Sequence, residues 1–305
     1  MTPVWWLWIP ITLFASGAQT IRNATQRHIQ DEIGTMGATF IRFAFAIPFA
    51  AAWFALIFTL TGKPQLTFSS GYFAWLSLGA ISQIVGTALM LKAMQGENFT
   101  LVTAYVKTEI LQVAVFGLVF LGEPLGIPTI FAVAIGTTAV LTLSFTHQDR
   151  HTVISKLISP GTMYGVASGA AFALSTVGFK GATIALSSNY LSAAALTVVL
   201  AQLLQTLFMS THFAIYQKGL MTRILKNWKH SIFVGASGAC ASIGWFTAMA
   251  IEPIAHVRTF ALIEVLMSYV VSRRFFRERL TPIQFLAVIS LTSSVAMVTM
   301  HSAVD

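Results

Sequence analysis

Two acids and two bases stand where an apolar chain has little reason to keep them. Lys107 and Glu109 interrupt FTLVTAYVKTEILQVAVFGLVFLG, and Arg258 and Glu264 interrupt IAHVRTFALIEVLMSYVV. A carboxyl group in an apolar run can take up and release a proton, pair with a cation, or hold a cationic ligand. On a helix, Tyr105, Glu109, Gln112 and Phe116 share one stripe, and Phe260, Glu264, Met267 and Val271 share another. An aromatic ring one turn before each acid can shape a pocket for a cationic or amphiphilic ligand. Tyr105, Gln112 and Phe260 are therefore candidate substrate contacts, and Glu109 and Glu264 candidate proton carriers. Lys107 lies ~200° around its helix from Glu109, so no pairing is expected within that helix. Lys107 and Arg258 read as balancing charges on another face. Static ion pairs with the acids are the competing reading.

Other polar residues could face the same space. Gln19, Thr20, Asn23 and Gln83 precede both acids in the chain, Ser175 and Thr176 lie between them, and Trp245 offers an aromatic wall. Gln19 and Trp245 join the candidate substrate contacts. Arg42 is expected to extend its long stem toward the membrane surface. Glu97, Glu123, Glu252 and Glu278 stand at expected helix ends, where capping or pairing with loops is their expected use.

The elements that must position these residues follow from composition. Of 305 residues, 56% are hydrophobic and 9% charged, far below the ~25% charged typical of soluble domains. Ten apolar stretches approach the ~20 residues needed to cross a bilayer as a helix. They lie at about 4–22, 36–60, 72–95, 98–121, 125–145, 160–182, 188–213, 230–250, 254–276 and 281–301. The expected fold is an all-α membrane protein of ten transmembrane helices. The first stretch has no basic leader and reads as a retained helix. A single cysteine, Cys240, excludes an internal disulfide framework. Both acids then lie ~18 Å from either end of their helices, where a charge costs at least ~2.5–3.5 kcal/mol.

The net charge of +8 has a use other than nucleic acid. Ten helices gather thirteen Lys and Arg, Arg22 and Arg27 among them, in loops on one side, against Lys63 and Lys180 on the other. That bias places the basic loops in the cytoplasm and both termini outside.

The chain also repeats itself. A shift of 155 residues aligns AMQGENFTLVTAYVKTEILQVAVFGLVFLGEPL with AMAIEPIAHVRTFALIEVLMSYVVSRRFFRERL. It pairs Glu97 with Glu252, Glu109 with Glu264 and Glu123 with Glu278. A weaker match of FASGAQTIRNAT with FALSTVGFKGAT pairs Arg22 with Lys180. Two five-helix halves follow, 1–149 and 155–305, joined by HQDRHTVISK. Since five is odd, the second half enters from the opposite side. Such inverted repeats are a ground plan of secondary transporters.

These features resemble the drug/metabolite transporter superfamily, in its EamA-type branch. Leu121-Gly122-Glu123 before Leu125 and Phe276-Arg277-Glu278 before Leu280 are similar to that family's repeated L-G-E-x-L ending. FIRFAFAIPFA is similar to its arginine-bearing second helix, and Arg22 and Lys180 stand where a basic residue closes the first helix of each half. The chain departs from the family in having SGAQT for a Trp-Gly pair and glutamate for a mid-helix proline. The resemblance implies a cavity lined by the first, third, fourth, sixth, eighth and ninth helices; no cofactor and no metal are expected.

The expected function is proton-coupled export of a small metabolite, amine or amphiphilic compound from a bacterial cytoplasm across the inner membrane. An uptake permease or a proton-independent facilitator is the alternative. Small-molecule substrate, protons and membrane lipid are the expected partners, with a homodimer admissible and nucleic acid excluded. GASGA around Ser237 looks like the nucleophile motif of an intramembrane protease. His256 and His230, however, lie ~10–20 Å from Ser237 by helical rise, too far for a catalytic pair.

Overall fold

A computed structural model describes residues 6–61, 66–123, 159–186, 189–217 and 219–275, with scattered positions between 126 and 138 and between 286 and 293. The expected helices at 125–145 and 281–301 and the linker HQDRHTVISK lie largely or wholly outside the described residues, as does Glu278. Within them the protein is helical: α1 Trp8–Ala44, α2 Ile47–Thr61, α3 Ser70–Ala93, α4 Phe99–Val106, α5 Glu109–Leu121, α6 Pro160–Leu186, α7 Tyr190–Tyr216, α8 Leu220–Lys226, α9 Trp228–Ile251, α10 Ile254–Phe260 and α11 Ile263–Phe275. Among the described residues, seven stretches are long and apolar enough to cross a membrane. The first, Trp8–Thr61, takes in two of the expected spans.

Helix α1 folds back on itself at Gly34, whose φ of 74° and ψ of 168° are open to glycine alone. Its first arm therefore continues well past Arg22, the residue expected to close it. The polar run TIRNATQRHIQ looked like a helix end, but its side chains are used inside the protein. Gln26 Nε2 donates to the Ala38 carbonyl at 2.7 Å, and Gln30 Nε2 to that of Leu91 at 3.0 Å. Buried amides that bond backbone oxygens in this way cost little. Pro48, with no N–H to offer, marks the start of α2.

The two most extensive helix contacts are α3 with α6 and α1 with α9, each joining an element before the linker to one after it. Small residues allow the approach. A Cβ on Gly178 would meet the Gly79 backbone nitrogen at 2.7 Å. Ser168 donates to the Gly86 carbonyl at 2.7 Å. Gly244 faces Ala15 across α9 and α1. The small-residue runs ASGA at 15–18 and 167–170 and Gly79–Gly86 thus mediate close helix packing. Large apolar side chains cover the outside, among them Phe14, Leu60, Val119, Phe120, Leu207 and Phe208. Such a surface suits hydrocarbon rather than water.

Candidate functional site

The fourth and ninth expected helices are each interrupted just before their acid. After α4 the chain tightens at Lys107 and Thr108: the Thr108 amide bonds Tyr105 O at 3.1 Å and the Ile110 amide bonds Lys107 O at 3.2 Å. After α10 the same three-residue spacing recurs, from Leu262 to Thr259 O at 3.1 Å and from Glu264 to Ala261 O at 3.0 Å. These are 3₁₀ turns, tighter than the α-helix around them. Threonine hydroxyls assist by competing for carbonyls, Thr108 at Tyr105 O and Thr259 at Ala255 O.

The turns re-aim the stripes. Glu109 and Glu264, 2% and 1% exposed, face a common cavity together with Lys107, Arg258, Gln19 and Trp245. Tyr105, Gln112 and Phe260 do not line it. Tyr105 packs against Gly165 instead, and Phe260 lies edge-on to Trp8 at 5.6 Å. The expectation of one continuous stripe fails because a 3₁₀ turn advances each residue by more than an α-turn does. The expected separation of Lys107 from Glu109 is corrected for the same reason: Lys107 Nζ lies 3.9 Å from Glu109 Oε1.

Six side chains close a ring around the cavity. Trp245 Nε1 donates to Gln19 Oε1 at 2.8 Å, and Gln19 Nε2 donates to both Glu264 oxygens at 2.7 and 2.9 Å. Lys107 pairs with Glu264 at 2.5 Å and reaches toward Glu109. Arg258 Nη1 donates to Glu109 at 3.2 Å, and its guanidinium lies 4.8 Å from the Trp245 ring centre. Arg258 Nη2 also donates to Thr176 Oγ1 at 2.5 Å. Both ion pairs join one sequence half to the other.

Two arginines misplaced by sequence reasoning complete the lining. Arg22 belongs to no loop: it is buried within α1, 1% exposed, and faces the cavity. Arg42 does not reach for the surface. It is 4% exposed, donates to Thr87 Oγ1 at 2.5 Å, and lies 5.2 Å from the Phe43 ring and 5.9 Å from that of Phe172. The repeated pairing of Arg22 with Lys180 was the one signal that it was more than a loop residue. Asn23, Gln83, Ser175 and Thr176 line the cavity as expected, whereas Thr20 bonds the Ser16 carbonyl.

The cavity measures about 30 Å³, room for a water or two and too little for a metabolite. A second pocket of about 280 Å³ lies beyond it, lined by Glu123, Lys180, Tyr190 and Glu252. Phe179, Phe246 and Met249 border both spaces, and the two phenyl rings are 5.0 Å apart. At the outer pocket, Gly122 ends α5 in the left-handed conformation, φ 67°. Glu123 then pairs with Lys180 and accepts the Ile254 N–H at 2.9 Å, capping α10. Ser237 donates its hydroxyl to the Phe233 carbonyl at 2.8 Å, and His256 lies 2.6 Å from Glu252.

Long apolar helices that enclose a buried charged cavity define a polytopic membrane protein. Residues 5–145 match the EamA-like transporter family, a domain of the drug/metabolite transporter superfamily. A protein crystal structure 12% identical in sequence superposes with a TM-score of 0.65, over 96% of this chain and 97% of its own. At that identity the likeness is one of fold. None of the curated proteins compared matches the chain.

Proposed function

We propose that the protein is a secondary transporter that carries a small metabolite through the ring-lined cavity by alternating access. The observation that carries this reading is the ring itself. Lys107 and Glu109 come from the first half, Arg258 and Glu264 from the second. Relative motion of the halves must break and remake these contacts, so cavity opening and ion pairing are coupled. The cavity of about 30 Å³ then corresponds to a closed stage of the cycle. Phe179, Phe246 and Met249 form the barrier toward the outer pocket. The two halves act as inverted repeats, as the matched glutamates suggest, and the basic loops face the cytoplasm of a bacterial inner membrane.

Proton exchange during export is a second reading. It is favoured by the deep burial of Glu109 and Glu264 beside cations that can exchange partners. Purified protein in liposomes loaded with a pH dye tests both readings. Labelled metabolites are expected to enter well above the level of empty liposomes, and substrate-driven acidification is expected to vanish in Glu264→Gln. Uptake no greater than that of empty liposomes for every compound would sink the transporter reading. Uptake without any pH change would remove proton exchange and leave a facilitator.

A further inference from the structure

The charges around the cavity do not cancel. Four cations line it, Arg22, Arg42, Lys107 and Arg258, against two acids, Glu109 and Glu264, which leaves an excess of two positive charges. The ring accounts for its own members: Glu264 is held by Lys107 and Gln19, and Glu109 by Arg258. Arg22 and Arg42 remain. Among the described residues, no carboxylate lies within ion-pair distance of either one.

Their hydrogen bonds leave capacity unused. Arg22 directs both Nε and Nη2 to a single acceptor, Asn23 Oδ1, at 3.2 and 2.7 Å. Its Nη1 is buried without a hydrogen-bond partner. Arg42 has one hydroxyl partner, Thr87, and two aromatic rings. Both side chains pack over Gly238: a Cβ there would lie 3.4 Å from Arg22 Cδ and 3.5 Å from Arg42 Cγ. The two stems therefore meet on one wall of the cavity that both arginines line.

Guanidinium stays protonated in proteins, and a buried charge left without a counter-charge is expensive. An occupant that supplies negative oxygens removes that cost. A cationic occupant would deepen it. The planar fork of arginine matches the two oxygens of a carboxylate or phosphate.

We propose that the cavity binds a small organic oxyanion, a carboxylate or phosphate compound, between Arg22 and Arg42. This rests on the transporter reading above. The ring of Trp245, Gln19, Glu264, Lys107, Glu109 and Arg258 is then the framework, and the arginine wall is the binding surface. An amine finds no unpaired acid in this cavity.

The test uses the full chain in liposomes with labelled succinate, glycerol 3-phosphate and inorganic phosphate, set beside choline, ethanolamine and glucose. At least one anion is expected to enter above empty liposomes, with no uptake of choline or ethanolamine. Arg22→Gln and Arg42→Gln should each raise the KM for that anion about tenfold or more, with Arg22→Lys falling between. Where a glutamine variant does not fold, phenylglyoxal labelling of the wild type read by mass spectrometry replaces it: the transported anion must shield Arg22 and Arg42. Uptake of choline, ethanolamine or glucose without uptake of any anion overturns the assignment and leaves the transporter reading standing. An unchanged KM in both glutamine variants, or labelling indifferent to the anion, overturns it too. No uptake of any probe defeats the transporter reading and this assignment with it.

Discussion

Lys107 is the residue on which the charged ring turns. It sits 2.5 Å from Glu264 and 3.9 Å from Glu109, so one ammonium group serves an acid from each half. Removing it leaves Glu264 buried with only Gln19 for company. Breaking a buried pair at one partner costs ~3–5 kcal/mol, whereas replacing both partners by apolar groups is often close to neutral. Lys107→Met should therefore lower the melting temperature of the detergent-solubilised protein markedly. Adding Glu264→Leu should restore most of the loss. A double variant as unstable as the single one would mean that the pair matters less than the packing around it.

At the level of elements, the cavity depends on where helices bend rather than on where they lie. The residues that bend them carried little warning. Proline and glycine punctuate helices visibly, but Lys107-Thr108 and Ala261-Leu262 are ordinary helical residues. Their 3₁₀ turns arise where threonine hydroxyls and buried charges outweigh the α pattern. Helical periodicity therefore found the two acids and missed the company they keep, assigning Tyr105 and Phe260 to a wall they do not join. Arg22 and Arg42 were missed for a different reason. A polar run within an apolar chain looks like a loop unless its partners are known, and those partners, such as Thr87 on α3 and Gly238 on α9, are remote in sequence. Helix packing was easier to read, because small residues have few other uses in a membrane. Gly178→Ala would drive its new methyl to within 2.7 Å of the Gly79 nitrogen, at a cost of ~1–3 kcal/mol from overpacking. Gly96→Ala, with nothing within 4 Å, is the matched control. A thermal melt should separate the two, and equal melting temperatures would show that α3 and α6 can move apart freely.

At the scale of the whole molecule, described elements from before and after the linker pack on one another. Helix α1 packs on α9 and α3 on α6, while the ion pairs of the cavity and the Lys180–Glu123 pair of the outer pocket all cross between halves. The charge bias read from the sequence, with Arg22 set aside, expects both termini outside the cytoplasm. An epitope tag on the N-terminus should thus be cleaved by protease added to intact cells. Protection of the tag until the cells are lysed would reverse the orientation.

Because the pairs cross, they are also separated in time. Glu109 must wait 149 residues for Arg258, on the order of ten seconds at ordinary rates of synthesis. During that interval the nascent chain holds one carboxylate, Glu109, among three cations of its own half, Arg22, Arg42 and Lys107. The insertion machinery must shelter that half-made protein until the ribosome delivers its counterpart.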